Sequence, residues 1–514
     1  MSANGLGQNI ALAATNACSS CSRGKRRCDR ATPRCSTCIR FGRTCVYDGR
    51  PAQNLRQGVH HAVQIPLNQG NAHQTLAVDS VMGLLGGDLN HGIDAHAGHS
   101  LSKEAIDRAV RLHAFKIIGT NLQAIQDLAA LFFDTIYVKI TFLAKGRFLD
   151  RLSGGIEEAP ADFVALCLCL SLILQRPAPG TQTMQSPHYV IVKNIISLLE
   201  STGYYLTLDH IQCRLFVIFY EIGHDIFPAA SVSVGACARM ARALGLSQNW
   251  HRPIRNELGE AIVEEERRAW WAIYNLDRFT NLCSTDAVFA TEEPRVVDLL
   301  PIEDARWFEN DIPDTVFISI GSPSDFSIGQ NVGQFARECQ ASFLAGKVMR
   351  HIVEPISDLG FYQAEEAQLE RTLKAFSPIL VEEDTKYGQY CSALAICTST
   401  MFALHHAALN SPDDNPLNKL RVTDSMKANS IRIAQFATHI FLGKEEVDID
   451  ILSPINVHCL YLAAIVEFQA WKESKEVFSK RRFFNLKDVI GIFAKRWLVA
   501  VNYVNALARL EAEA

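Results

Sequence analysis

The stretch Ala17–Asp48, ACSSCSRGKRRCDRATPRCSTCIRFGRTCVYD, governs how the rest of the chain is read. Six of the 15 cysteines fall inside it, at Cys18, Cys21, Cys28, Cys35, Cys38 and Cys45. Their spacing is C-x2-C-x6-C, six intervening residues, then C-x2-C-x6-C again. Nine Lys and Arg residues lie among and just after these thiols, through Arg50, against only Asp29 and Asp48. A ligand array and a dense positive field share one short segment.

Each half of the array offers three thiolates, one fewer than a tetrahedral zinc takes. Two thiolates shared between two metals remove the shortfall, because six cysteines then supply eight bonds. Soft thiolate donors select zinc over hard cations. An iron–sulfur site fits poorly with the even, pseudo-symmetric spacing and the basic residues between the ligands. A redox C-x-x-C pair belongs in a βαβ setting, which is missing here. A segment this small has little apolar core, so metal binding is its folding energy, on the order of 10–16 kcal/mol in apparent terms.

Each C-x2-C hook predicts the start of a short helix. The first would run towards Lys25, Arg26 and Arg27 and project them from one end. A rigid basic knob of this kind fits a DNA major groove, where Lys or Arg reads guanine O6 and N7 while neighbours such as Arg23 and Arg30 hold phosphates. A solvated basic face or a nuclear-import signal is the plainer reading, and it is compatible with DNA binding.

The segment resembles the fungal binuclear zinc cluster, the Zn(II)2Cys6 DNA-binding domain of fungal transcription factors. The resemblance implies that Cys18 and Cys35 bridge two zinc ions. One ion would take Cys18, Cys21, Cys28 and Cys35, and the other Cys18, Cys35, Cys38 and Cys45. Pro33 matches the proline of the family's inter-half loop. Lys25 inherits the base-reading role, whereas Ser22 and Gly24 stand where the family carries Arg, which weakens the expected preference for CGG-like triplets. Thr207–Gly245 followed by EEERRAWWAIYNLDRF, Glu264–Phe279, is similar to the family's helical middle homology region, here centred on 203–300. NLCSTDAVF, Asn281–Phe289, departs from the Gly-Arg-Pro-like stretch that usually follows.

The net charge of -5 conceals an asymmetry. Residues 1–57 carry a net of +8 and the remainder a net of -13. A basic head on an acidic body places the polyanion contact at the head. The longest apolar run, Phe163–Leu174, is too short to cross a bilayer and predicts a buried helix. No basic residue precedes IALAA near the N-terminus, so a secretory signal is not expected, and metal thiolates explain the cysteines better than disulfides.

The expected layout is a disordered 1–16, the zinc cluster with two short helices at 17–48, a flexible linker at 49–100, and a large all-α regulatory domain at 101–514. The linker is rich in Gly, Asn, Gln and His. Gly83, Gly86 and Gly87 interrupt its one candidate heptad stretch, so no coiled coil is expected. Beyond it, Lys103–Ile118 aligns Ile106, Ala109, Val110 and Ile117. Ile211, Leu215, Ile218, Phe219 and Ile222 form a second stripe, with Thr207 as its cap and Gly223 as its stop. Helices are also expected over 231–244, 261–280 and from Lys487 to the end.

Other signals carry less. Six tether histidines, at His60, His61, His73, His91, His96 and His99, lack a scaffold for a second metal. The nine later cysteines read as small buried hydrophobes, with redox sensing as the alternative. Glu264–Glu266 could form a catalytic acid cluster, but Glu264 is better spent pairing with Arg268 at i,i+4. SKRRFF, Ser479–Phe484, reads as a solvated helix end with nuclear import as the alternative. Gly443–Leu452 reads as a surface loop with an activation segment as the alternative. No P-loop, dinucleotide fingerprint, H-E-x-x-H or nucleophile elbow occurs.

The expected protein is a nuclear, non-enzymatic transcription factor of RNA polymerase II genes, binding two zinc ions and double-stranded DNA and serving a metabolic pathway or biosynthetic gene cluster. A homodimer mate, a co-regulator and a small-molecule effector are further partners left open. The competing reading is a receptor or enzyme whose zinc module is structural, with a pocket around Phe163–Leu174.

Overall fold

The computed structural model describes residues 17–18, 21–22, 27–30, 34–35, 37–38 and 45 of the cysteine stretch, and 102–513 apart from 248–259, 285–286, 311–317, 321–331, 355–357, 388–391, 411–415 and 444–446. The N-terminal 1–16, the expected linker at 49–100, Arg23, Lys25, Arg26 and Pro33 lie outside the described residues. The chain divides into two units, residues 1–72 and 73–514.

The larger unit is helical, and its only strand pairing among the described residues is an isolated bridge between Leu299 and Ser319. α1 (Lys103–Ile118) starts at Ser102, whose hydroxyl accepts from the Ala105 N–H. Ile106, Ala109 and Val110 are buried as their spacing predicts, and His113 stays half-buried beside them. α2 (Leu122–Asp134) and α3 (Lys145–Ser153) lead into α4 (Ala161–Ile173), in which every residue but Ser171 is buried. α5 (Pro187–Thr202) is capped by Ser186 with Pro187 in its first turn. Ser and Pro suit these positions because one supplies an acceptor and the other needs no donor.

α6 (Leu208–Gly223) differs from expectation. Thr207 caps it, accepting from the His210 N–H at 3.3 Å and donating to Asp162 at 2.7 Å. Yet every residue after Leu208 is buried, where the stripe predicted one solvated face. The polar residues make this tolerable because each has an ionic or hydrogen-bonding mate: Asp209 takes a two-point contact from Arg151 at 2.8 and 2.6 Å, and Glu221 accepts from Lys193 and the Tyr189 hydroxyl. Arg214 pairs with Glu200. A buried ion costs little only when it is matched in this way.

α7 (Ala229–Ala243) packs on α6 and on α8 (Glu260–Ser284), the longest element of the middle region. α8 also packs on α10 (Gln334–Val353), past the short α9 (Asp304–Glu309). α10 and α11 (Leu359–Tyr387) both lie against α12 (Ser392–Leu409). α13 (Pro416–Ala437), α14 (Ile455–Ser474) and α15 (Val477–Phe493) complete the C-terminal half with α16 (Leu498–Ala512). α12 is long and apolar enough to cross a membrane, but 78% of it is buried inside the protein, as in a core helix. The helix expected from Lys487 to the end is broken at residues 494–497. There Arg496 turns back to donate to the Ile173 and Gln175 carbonyls, at 2.5 and 3.0 Å, and so caps α4.

Candidate metal centre and nucleic-acid interface

The six cysteines converge. Cys18, Cys21, Cys35 and Cys38 are buried within their own cluster, and Cys28 and Cys45 pack at its edge. The first hook enters a helical turn, with the Ser22 N–H donating to the Cys18 carbonyl at 2.9 Å. Residues 37–38 are helical at the equivalent place in the second half. The Thr37 hydroxyl donates to the Arg27 carbonyl at 2.8 Å and ties the halves together.

Two four-thiol sets form, Cys18–Cys21–Cys28–Cys35 and Cys18–Cys35–Cys38–Cys45, and within each set all sulfurs lie within 4.8 Å of one another. Cys18 and Cys35 belong to both, and their sulfurs are 3.8 Å apart. With Zn–S bonds near 2.3 Å, the edge of a ZnS4 tetrahedron is about 3.8 Å. The Cys21–Cys35 separation of 3.7 Å fits the same edge. The donor set therefore suits two zinc ions sharing two thiolates. The Cys35 N–H donates to the Cys45 sulfur at 3.3 Å, and the Cys38 N–H to the Cys35 sulfur at 3.4 Å, contacts that stabilise thiolate charge. The Cys18 thiol is held down to about 6, first by the Cys21 backbone N–H, whereas burial pushes Cys21 up to about 12. Arg27 and Arg30 are exposed beside the cluster, and Arg30 adopts a left-handed φ of 60°. Of the expected DNA contacts, these two are the ones among the described residues.

The acid-rich start of α8 is structural. Glu264 accepts from Arg267 at 2.5 Å, from Arg268 at 3.1 Å and from the Ile302 N–H at 2.9 Å. Arg268 continues to Asp304 at 3.0 Å. Glu265 accepts from the Ala144 N–H, Gln212 and Arg147. These bonds pin the segments around 144 and 302 to α8. Further along, Asp277 and Arg278 hold residues 290–293, with the guanidinium 3.9 Å from the Phe289 ring centroid. Trp270, Ile273 and Tyr274 enter the core as expected.

Of the nine later cysteines, seven are buried, Cys283 is partly so, and Cys391 lies outside the described residues. Burial pushes Cys167, Cys237, Cys283 and Cys459 up to about 12, far from the reactive thiolate range. In SKRRFF, Lys480 and Arg481 are exposed in the first turns of α15, as in a solvated helix end, whereas Arg482 is bonded to the buried Glu467 at 2.9 Å. Around Gly443–Leu452, Asp450 pairs with Arg176 and Leu452 is buried. Phe163–Leu174, around which a pocket was expected, is buried apart from the partly buried Ser171 and Leu174, and a cavity opens between α8, α10, α12, α13 and α14. Its walls come from sequence segments up to about 190 residues apart, so no local signal could have announced it.

Two family descriptions match the chain. Residues 16–54 match the fungal Zn(2)-Cys(6) binuclear cluster domain, and residues 129–328 match the fungal specific transcription factor domain. The second match is broader than the expected 203–300. Among similar proteins, transcription factor BOA15 of Botryotinia fuckeliana is 29% identical over 148 residues, which span 29% of this chain and 81% of that protein. Transcription factor tazR of Aspergillus terreus is 25% identical over 231 residues, 44% of this chain and 36% of its own length. The depudecin biosynthesis cluster-specific transcription activator DEP6 of Fusarium langsethiae is 25% identical over 171 residues, 31% of this chain and 27% of its own length. The alignments to the last two thus cover well under half of those proteins.

Proposed function

Because the chain belongs to the fungal Zn(2)-Cys(6) transcription factors, we propose that it is a sequence-specific DNA-binding regulator of a biosynthetic gene cluster, acting in the nucleus on genes of RNA polymerase II. The observation that carries the proposal is the pair of four-thiol sets sharing Cys18 and Cys35. Two zinc ions held there would rigidify the segment that bears Arg23, Lys25, Arg26, Arg27 and Arg30. The family is one of transcription factors rather than of enzymes.

In this reading Lys25 contacts guanine in a CGG-like triplet, and the arginines hold the flanking phosphates. Base edges specify and phosphate contacts position, so the two classes of residue carry different parts of the free energy. A triplet recurs roughly every few tens of base pairs, too often to select a promoter alone. A second half-site, bound by another copy or by a co-regulator, supplies the remainder.

The test is selection from random-sequence duplex DNA by the zinc-loaded full-length chain. Enrichment of a CGG-like triplet that vanishes on chelation is expected. No enrichment, or enrichment indifferent to chelation, would sink the proposal.

A further inference from the structure

Five helices of the larger unit line a cavity of about 520 Å3 that opens to solvent. Protein interiors rarely leave voids much larger than a water molecule, and this volume falls in the range of small-molecule sites. Leu282 of α8, Met349 of α10, Phe402 of α12 and Leu462 of α14 form an apolar wall. Among the described residues, no Asp, Glu, Lys or Arg lines it.

Two polar groups interrupt the wall. Ser399, in the middle of α12, is fully buried, and its hydroxyl has no hydrogen-bond mate. The neighbouring Thr400 hydroxyl instead donates to the Ile396 carbonyl at 2.7 Å. His458 of α14 has its Nδ1 3.1 Å from the Tyr503 hydroxyl, which fixes the ring and leaves Nε2 for another group. Burial holds this imidazole down to about 4, so it is neutral near pH 7. An orphaned buried hydroxyl is costly, and a ligand atom that pairs with it recovers that cost. At the mouth stand His406, Val353 and Gln469, all exposed.

We propose that this cavity is a binding site for a neutral, mainly apolar small molecule carrying a hydrogen-bonding group that meets Ser399 and His458. A charged ligand would lose its hydration with no counter-charge in the wall to replace it. The inference goes beyond the DNA-binding reading, and its failure would leave the random-DNA selection unchanged.

The test uses the zinc-loaded full-length chain and N-phenyl-1-naphthylamine, a neutral fluorophore that brightens in apolar surroundings. Saturable binding of one probe per chain is expected. Ala403→Trp, which fills the cavity from α12, should weaken it at least tenfold, while Ala367→Trp on α11 should leave it unchanged. An alkyl diazirine probe, which needs no substitution, should label peptides carrying Met349, Phe402 or Leu462. Non-saturable binding, equal affinity in Ala403→Trp with an unchanged thermal midpoint, or labelling confined to other peptides would overturn the proposal.

Discussion

The six-membered ring of Trp497 occupies the place where a Cβ on Gly223 would stand. Gly223 is the last residue of α6, as its position suggested, but it has no left-handed φ. It is glycine because the chain returns from α15 to lay a tryptophan on it. Trp497 cannot retreat easily: it is fully buried, and its indole N–H donates to the Leu452 carbonyl at 2.7 Å. Gly223→Ala should therefore destabilise the protein by about 1–3 kcal/mol through overpacking, less about 0.5–1 kcal/mol recovered in helix propensity. Denaturant unfolding decides it. The double variant with Trp497→Phe should lose less than the sum of the two single losses, since the pair is in contact. An alanine variant as stable as the parent would contradict this account.

Arg268 joins Glu264, Asp304 and the Ile302 carbonyl with no exposure to solvent. Arg268→Met should cost about 3–5 kcal/mol, because it removes the cation that Glu264 and Asp304 share after their hydration is lost. Glu292, 60% exposed in its pair with Arg242, is the contrasting case. Glu292→Gln should cost at most about 1 kcal/mol, since solvent screens that pair. Thermal or chemical unfolding of the two variants should separate them clearly, and similar losses would argue that the α8 network is not structurally central.

The cysteine spacing made the cluster legible because its ligands are local: hook and third thiolate lie within a dozen residues. α1 was equally legible, because its apolar residues recur at helical spacing. α6 was only half legible. Its apolar stripe was visible, but the burial of Asp209, Arg214 and Glu221 depends on Arg151, Glu200 and Lys193, brought in from other helices. The Glu264–Arg268 pair was foreseeable from i,i+4 spacing, whereas its third member, Asp304, was not. The cavity was illegible for the same reason, since its wall is assembled from five helices and no single one shows a concave face.

Membership of both thiol sets distinguishes Cys18 and Cys35 from the other four cysteines. Cys18→Ser or Cys35→Ser leaves neither set with four thiolates, so the zinc content of the full chain should fall from two per chain to well below one. Cys21→Ser or Cys45→Ser leaves one set whole and should retain about one zinc. Metal analysis after desalting reads the difference. Because metal binding supplies the folding energy of such a small segment, DNA binding should fall with zinc content. Equal zinc loss in all four variants would remove the case for sharing.

Lys25 and Arg30 should fail differently. If Lys25 reads a guanine edge, Lys25→Ala removes about 1–3 kcal/mol of discrimination at that base pair and flattens the triplet preference. Arg30 is exposed beside the cluster, and the proposed reading gives it a phosphate. Arg30→Ala should weaken binding to all sequences alike and reduce the slope of log K against log salt by about 0.9, the counterion release of one contact. Binding of both variants to matched and scrambled duplexes across a salt series separates specificity from charge. Gly24 sharpens the comparison: with no side chain to share base contact, Lys25 should carry most of what specificity the first half of the cluster has. Retention of the triplet preference in Lys25→Ala would move the reading role to Arg26 or Arg27, and their alanine variants in the same series would identify which of the two holds it.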